Sequence, residues 1–175
     1  MLIAAGPFTL HGSLAFEPLH AVVALCTERR PSLLVLSGPF VDASHPTIAT
    51  GQLDVTFEEL FASQVVDFLM AHVPPETRIV MLPSPADVHV PLCFPQPPMA
   101  VPDSSAPGFP LQLPNPALFS VNELVVGVVS VDVLRHLSSA EFQRGCTQHR
   151  LVALASHLVQ QGRCVCVLGD EPHLL

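Results

Sequence analysis

The chain has 175 residues, 49% of them hydrophobic, and a formal net charge of −8 with seven basic residues, all arginine. One domain with a full core is the natural count at this length. No apolar run approaches the roughly 20 residues of a membrane-spanning helix. The scattered arginines make no basic face for a phosphate backbone, so a protein partner fits better than direct DNA contact.

The five cysteines are Cys26, Cys93, Cys146, Cys164 and Cys166. An odd count with no secretory start argues against a disulfide framework. Cys164 and Cys166 would share one face of a strand, and no second Cys/His pair stands at a zinc-finger distance, so both read as core packing. The nine histidines form no H-x-H or H-E-x-x-H pair. The first residues, MLIAAGPF, read as a strand beginning almost at Met1 with no signal peptide. So abrupt a start is expected of a piece of a longer protein.

Residues 2–5 predict a buried first strand, ended by Gly6-Pro7. A helix follows over 16–30, with Pro18 in its first turn and Leu19, Val22, Val23 and Cys26 on one stripe. Arg29 and Arg30 sit where the helix dipole favours cations. Leu33–Ser37 is a second strand. Its run of apolar residues without alternation predicts cover on both faces, by helices on each side of a sheet. Gly38-Pro39 ends it, and residues to about 54 read as irregular.

Thr56 with Glu59 three residues on is a capping box. It opens a helix to about residue 72 with Phe57, Leu60, Phe61, Val65, Phe68 and Leu69 facing the core. Residues 78–82 make a third strand. Residues 84–116 hold ten prolines in 33 positions, too many for a regular helix or an inner strand. This stretch reads as an ordered, extended loop with a flexible tip near 101–108. A hairpin turning at Asn122-Glu123, helices over 131–137 and 147–161 with Gly162 as the stop, a last strand over 163–168 and a tail over 169–175 complete the chain. The order predicts an α/β fold around a central sheet.

The polar chemistry gathers at strand ends: Gly6-Pro7-Phe8-Thr9, Gly38-Pro39-Phe40-Val41-Asp42, Ser84-Pro85-Ala86-Asp87-Val88-His89, and Ser130-Val131-Asp132. Ligand and metal sites of open α/β sheets lie there. Asp, Asn and His from consecutive strand ends are what a two-metal hydrolase uses to clamp its cations.

Four segments carry a resemblance: AAGPFT at 4–9, LSGPFVDASH at 36–45, LPSPADVHVPLCFPQPP at 82–98 and VNELVVGVVSVDVLRHL at 121–137. On these the chain resembles the calcineurin-like phosphoesterases. Within them it is similar to the accessory B-subunit family of replicative DNA polymerases, nearest its alpha branch. The resemblance runs from about residue 3 to 161. It implies a calcineurin-like metallophosphoesterase-type layered sheet with helices on the faces, incomplete at both ends. In domain terms, it implies a degenerate phosphoesterase-like domain over 1–168 with the proline-rich loop 84–116 inside it, a tail over 169–175, and no OB domain in this chain. A sheet left incomplete has an exposed edge, which predicts poor solubility for the chain expressed alone.

Active phosphoesterases carry D-x-H, G-D-x-x-D and G-N-H-[DE] after successive strands. Here the first loop has no such pair. Pro39 stands at the position of the bridging carboxylate, and Pro85 and Ala86 replace Asn and His. Asp42, Asp87 and His89 remain. Pro39, Asp42, Pro85, Ala86, Asp87 and His89 are therefore expected to be former metal-site positions, with the two carboxylates now capping turns and holding loops. The alternative for the remaining three is a residual one-metal site. The resemblance implies no catalytic residue, no metal and no cofactor. It implies a nuclear scaffold for the C-terminal domain of the DNA polymerase alpha catalytic subunit and, through it, primase. Any DNA contact is then indirect. The competing readings are an active metal-dependent phosphoesterase and the accessory subunit of polymerase delta or epsilon.

Overall fold

The computed structural model describes residues 1–100, 108–142, 144 and 149–161. Residues 101–107 of the loop tip expected near 101–108, the stop at Gly162, the strand over 163–168 with Cys164 and Cys166, and the tail lie outside the described residues. The chain divides into two compact units, Met1–Ser130 and Val131–Leu175.

The first unit is built on a parallel sheet of β1 (Leu2–Ala5), β2 (Leu33–Ser37), β3 (Arg78–Leu82) and β4 (Leu111–Gln112), in that order across the sheet. All five residues of β2 are buried, as its unalternating apolar run requires. The register pairs Leu34 with Ile79 and Leu36 with Met81. These four face a core shared with α1 (Glu17–Arg29), α2 (Pro46–Ala49) and the helix that begins at α3 (Phe57–Phe61). Leu33, Val35, Val80 and Leu82 point the other way and pack with Ala117, Phe119 and Val128. Those last residues belong to a hairpin, β5 (Ala117–Val121) with β6 (Leu124–Val128). The expectation of helices on both faces is therefore corrected in this unit: one face takes helices, the other a two-stranded sheet.

The first strand is also corrected. Expected to be buried, β1 alternates between half-buried and exposed, with Ile3 54% exposed. It lies at the end of the strand order among the described residues, so only one edge is paired.

The helix α1 forms as expected. Leu19, Val23 and Cys26 are buried, and Arg30 caps its end in the left-handed region at φ 44°. The stretch read as irregular contains α2. Pro46 occupies its first turn, where the missing N–H costs nothing, and His45 caps it. A proline read as a breaker is here a start.

The capping box closes reciprocally. Thr56 Oγ1 accepts from the Glu59 amide at 3.2 Å, and Glu59 Oε2 accepts from the Thr56 amide at 3.0 Å. The helix then departs from a uniform α-helix: α3 passes through a π-helical segment, Ala62–Asp67, into α4 (Phe68–His72). The buried pair Leu60 and Phe61 recurs five residues later as Val65 and Val66, the spacing of a π turn. Phe68, expected in the core, is half-buried; its ring meets His20 at a tilt and stacks on His72, each with ring centroids at 4.3 Å.

The hairpin turns where expected, with Asn122 at φ 55°, the conformation such turns demand. Its inner face covers the sheet. Its outer face carries Leu118 and Val125, 78% and 69% exposed.

In the second unit α5 (Val133–Ala140) packs with α6 (Arg150–Gln161). Asp132 caps α5 by accepting from the Arg135 amide at 2.9 Å. Arg150 pairs with Glu141 at 3.0 Å and donates to the carbonyl of Ser138. Both helices start later than the sequence predicts.

Leu118→Lys combined with Val125→Lys is expected to leave the thermal midpoint within about 2 °C of the parent, since neither side chain is packed in the core. It is expected to raise the concentration at which the protein precipitates, because charge on an exposed sheet discourages edge-to-edge association. Calorimetry and a solubility titration check both.

Candidate functional site

The parallel strands deliver three loops to one end of the sheet. Backbone bonds carry the alignment past the strands themselves. The Gly6 amide donates to Ser37 O at 2.8 Å, Phe8 N to Pro39 O at 3.1 Å, and Gly38 N to Leu82 O at 3.0 Å. The approach is close enough to require glycine. A Cβ on Gly6 would strike the backbone of Pro39, and one on Gly38 would strike the Asp87 carboxylate.

Asp87 lies at the centre. Its side chain is fully buried. Its Oδ1 accepts from the amides of Phe40 at 2.6 Å and Val41 at 3.0 Å, and its Oδ2 from the amide of Ser84 at 2.9 Å. The loop after β2 is thus bound by a side chain of the loop after β3. Two backbone bonds finish the join: Ala43 N to Ala86 O at 2.9 Å, and Val88 N to Val41 O at 3.0 Å. Burial pushes the Asp87 carboxyl up to about 6, with the nearby Asp42 adding to the rise, against the pull of the three amides.

Asp42 pairs backbone to backbone with Asp87. Its side chain turns outward, where Oδ1 accepts from the amide of Ser44 at 2.9 Å and from its hydroxyl at 2.8 Å. This is an Asx turn, one of the two roles expected for it. Pro39 and Pro85 are half-buried and Ala86 is exposed; none offers a side-chain lone pair.

His89 comes next to Asp87 but does not pair with it. The Nδ1–Oδ1 distance is 3.9 Å, and burial holds the imidazole down to about 4, so at neutral pH no ion pair forms. The ring stacks on Phe61 with centroids at 4.1 Å. Neither ring nitrogen has a hydrogen-bond partner among the described residues. Phe61 continues to Phe40 at 5.6 Å and Phe40 to Phe8 at 5.3 Å, so one aromatic column joins all three loops.

Two residues that sequence reasoning missed complete the site. Gln96 is 1% exposed and Asn115 is fully buried. Gln96 Nε2 donates to Ser84 O at 3.1 Å, and Asn115 Nδ2 donates to Gln96 Oε1 at 2.9 Å. Asn115 Oδ1 accepts from the Ser130 amide at 2.9 Å, and Ser130 Oγ donates to Gly38 O at 3.3 Å. The signal was present: Gln96 is the lone amide side chain in an uncharged run from 90 to 102. Ser130 joins the strand-end loops as expected. Asp132 belongs to the second unit, where it caps α5.

The fold that the resemblance implies would clamp two cations here. The residues present do not fit that task. Pro39, Pro85 and Ala86 carry no donor, Asp87 has both oxygens turned onto backbone amides, and His89 faces Phe61. Among the described residues no group of three or more His, Cys, Asp or Glu is placed to hold a metal ion.

Asp87→Asn is expected to cost about 3 kcal/mol, since an amide cannot accept on both sides and a buried N–H is left unpaired. The pH dependence has a definite sign. Folded Asp87 keeps its proton up to about pH 6, whereas the unfolded carboxyl loses it near pH ~4; between these values the folded state binds more protons, and this group's stabilisation falls as pH rises. Folded His89 stays neutral down to about pH 4, whereas the unfolded ring gains its proton near pH ~6.5; there the unfolded state binds more, and stability rises with pH. The two slopes oppose. Asp87→Asn removes the first alone, so urea unfolding should show the variant gaining stability from pH 4.5 to 6.5 relative to the parent.

Residues 1–166 match the family of DNA polymerase alpha/epsilon B subunits. The DNA polymerase alpha B subunit of Drosophila melanogaster is 34% identical over 163 residues, covering 92% of this chain and 26% of the relative. The Schizosaccharomyces pombe protein of that name is 34% identical over 91% of this chain and 28% of its own length. The Bos taurus protein is 27% identical over 92% of this chain and 27% of its own. The chain therefore spans about a quarter of the length of these relatives. With the strand-end segments inside the matched region, the chain belongs to the DNA polymerase alpha/epsilon B-subunit family.

Proposed function

We propose that this chain is the phosphoesterase-like part of a non-catalytic accessory subunit of DNA polymerase alpha. It scaffolds the C-terminal domain of the catalytic subunit and, through it, primase, and it acts in the nucleus at the initiation of DNA replication. Its fold is a calcineurin-like framework over 1–168, with the loop 84–116 inside it, a tail over 169–175, and the OB domain lying elsewhere than in this chain. Pro39, Asp42, Pro85, Ala86, Asp87 and His89 are former metal-site positions.

One observation carries this reading. The carboxylate best placed to bind a cation is committed to three backbone amides. A two-metal hydrolase needs such carboxylates free to neutralise its cations and to hold them at fixed separation. Proline and alanine at the neighbouring positions cannot substitute. What remains is a set of loops pinned by their own hydrogen bonds, and pinned loops serve binding, because little ordering is left to do on association. The names of the relatives support the alpha branch over the delta and epsilon readings.

Two measurements test it. Titration with manganese and a generic phosphodiester should give no turnover above the protein-free blank. Metal-dependent turnover that disappears in Asp87→Ala would overturn the non-catalytic reading in favour of an active phosphoesterase. Co-expression should recover the chain with the C-terminal region of the alpha catalytic subunit; recovery with that of delta or epsilon alone would reassign the branch.

A further inference from the structure

Residues 90–102 carry no charged side chain in a chain of net charge −8. The described part of this run is held at three points. Val90 and Met99 are buried in the core at 8% and 5% exposure. Gln96, between them, is bonded through its side chain to Ser84 O and Asn115, and through its backbone in both directions to Asn115, at 2.8 and 3.1 Å. Between these anchors Pro91, Leu92, Cys93, Pro95, Pro97 and Pro98 are exposed, Leu92 at 62%.

This is not how a solvated loop is made. The polar side chain, Gln96, points in, while Leu92 and four prolines stand outside between the apolar anchors. The Cys93 amide bonds back to Pro91 O at 2.9 Å, which fixes the turn that presents Leu92. Proline rings have fixed φ, so the ridge has little conformational freedom left to lose on binding. With no charge on it, ion pairing cannot be its mode of recognition. Proline-rich segments are commonly read by grooves lined with aromatic rings, which pack on the pyrrolidines, and an uncharged ridge calls for such a groove without charge.

We propose that the ridge Pro91–Pro98 docks into an aromatic-lined, uncharged groove of the protein partner, with Leu92 as the anchoring side chain. This rests on the accessory-subunit reading above and gives it a contact surface. The ridge is tied through Gln96 to the strand-end loops, so the former catalytic end of the sheet becomes its binding end.

The test uses the full chain and, as probe, the C-terminal region of the polymerase alpha catalytic subunit. Binding is measured by calorimetry for the parent, for Leu92→Asp, for Pro97→Ser with Pro98→Ser, and for Leu124→Asp on the hairpin as a control. The ridge variants are expected to weaken binding at least about tenfold, with thermal midpoints and the control unchanged. Alkylation of Cys93 by iodoacetamide, followed by mass spectrometry of its peptide, is expected to slow in the complex. Parent-like binding by the ridge variants, with Cys93 alkylated at the free rate, overturns the ridge and leaves the accessory reading standing. Failure of the parent itself to bind overturns both. Loss of self-association in the ridge variants, with partner binding intact, assigns the ridge to a second copy and overturns the proposal.

Discussion

The strand-end architecture depends on one buried carboxylate. Parallel strands do not end in hairpins, so the loops after β2 and β3 leave the sheet with no ladder to hold them. Asp87 supplies one, gathering the amides of Phe40, Val41 and Ser84 onto its two oxygens. The cost is desolvation of the charge, visible in the upward displacement of its titration to about 6. Charge-assisted bonds to amides offset that cost, and none of the three amides could find water where they lie. Gly38 follows from the same contact, because any side chain there would occupy the carboxylate's space.

Asp87 holds the strand-end loops through backbone amides alone. Loops joined in this way need no side-chain donor at positions 39 and 85, and the proline at each stiffens the loop it sits in. The aromatic column from Phe8 to His89 then fills the space between loops. His89 is neutral in that column at any physiological pH, so it behaves as another ring. Order at the strand ends thus rests on the chain's own groups, which is what the accessory reading requires.

Much of this was legible in the residues. The unalternating run at 33–36, the Thr56–Glu59 box and the Asn-led turn at 122 each state a local rule that tertiary structure had no reason to override. The failures are instructive. Nothing local in β1 tells whether it has one neighbour or two, so its exposure could not be read. Apolar residues on both faces of β2 announce two covers without naming them, and the second cover is the hairpin. Pro46 signals a break or a start with equal force until His45 is seen to cap it. The π segment hides because its five-residue spacing mimics a wide α-helical stripe. Asp87 was found by its position in a motif, yet its role came only from geometry: a carboxylate at a strand end looks the same in sequence whether it faces a cation or three amides. Gln96 and Asn115 were missed for a related reason, since they bond to each other across 19 residues and to backbone groups that no local pattern announces.

Charge places a further constraint on where a partner can sit. The unit Met1–Ser130 holds eleven Asp and Glu against three Arg, whereas Val131–Leu175 holds four of each. The whole net charge therefore belongs to the first unit. A unit with so acidic a balance repels other copies of itself and favours a basic face on whatever binds over its carboxylates, at a strength that varies with salt. A neutral stretch within that unit is the place where association escapes both conditions. Residues 90–102 are such a stretch, and Gln96 and Met99 keep its described part in one shape. Binding there would depend on fit and buried apolar area, and so would persist at ionic strengths that erase surface electrostatics. The distribution of charge along this chain leaves room for such association beside the loops that Asp87 holds.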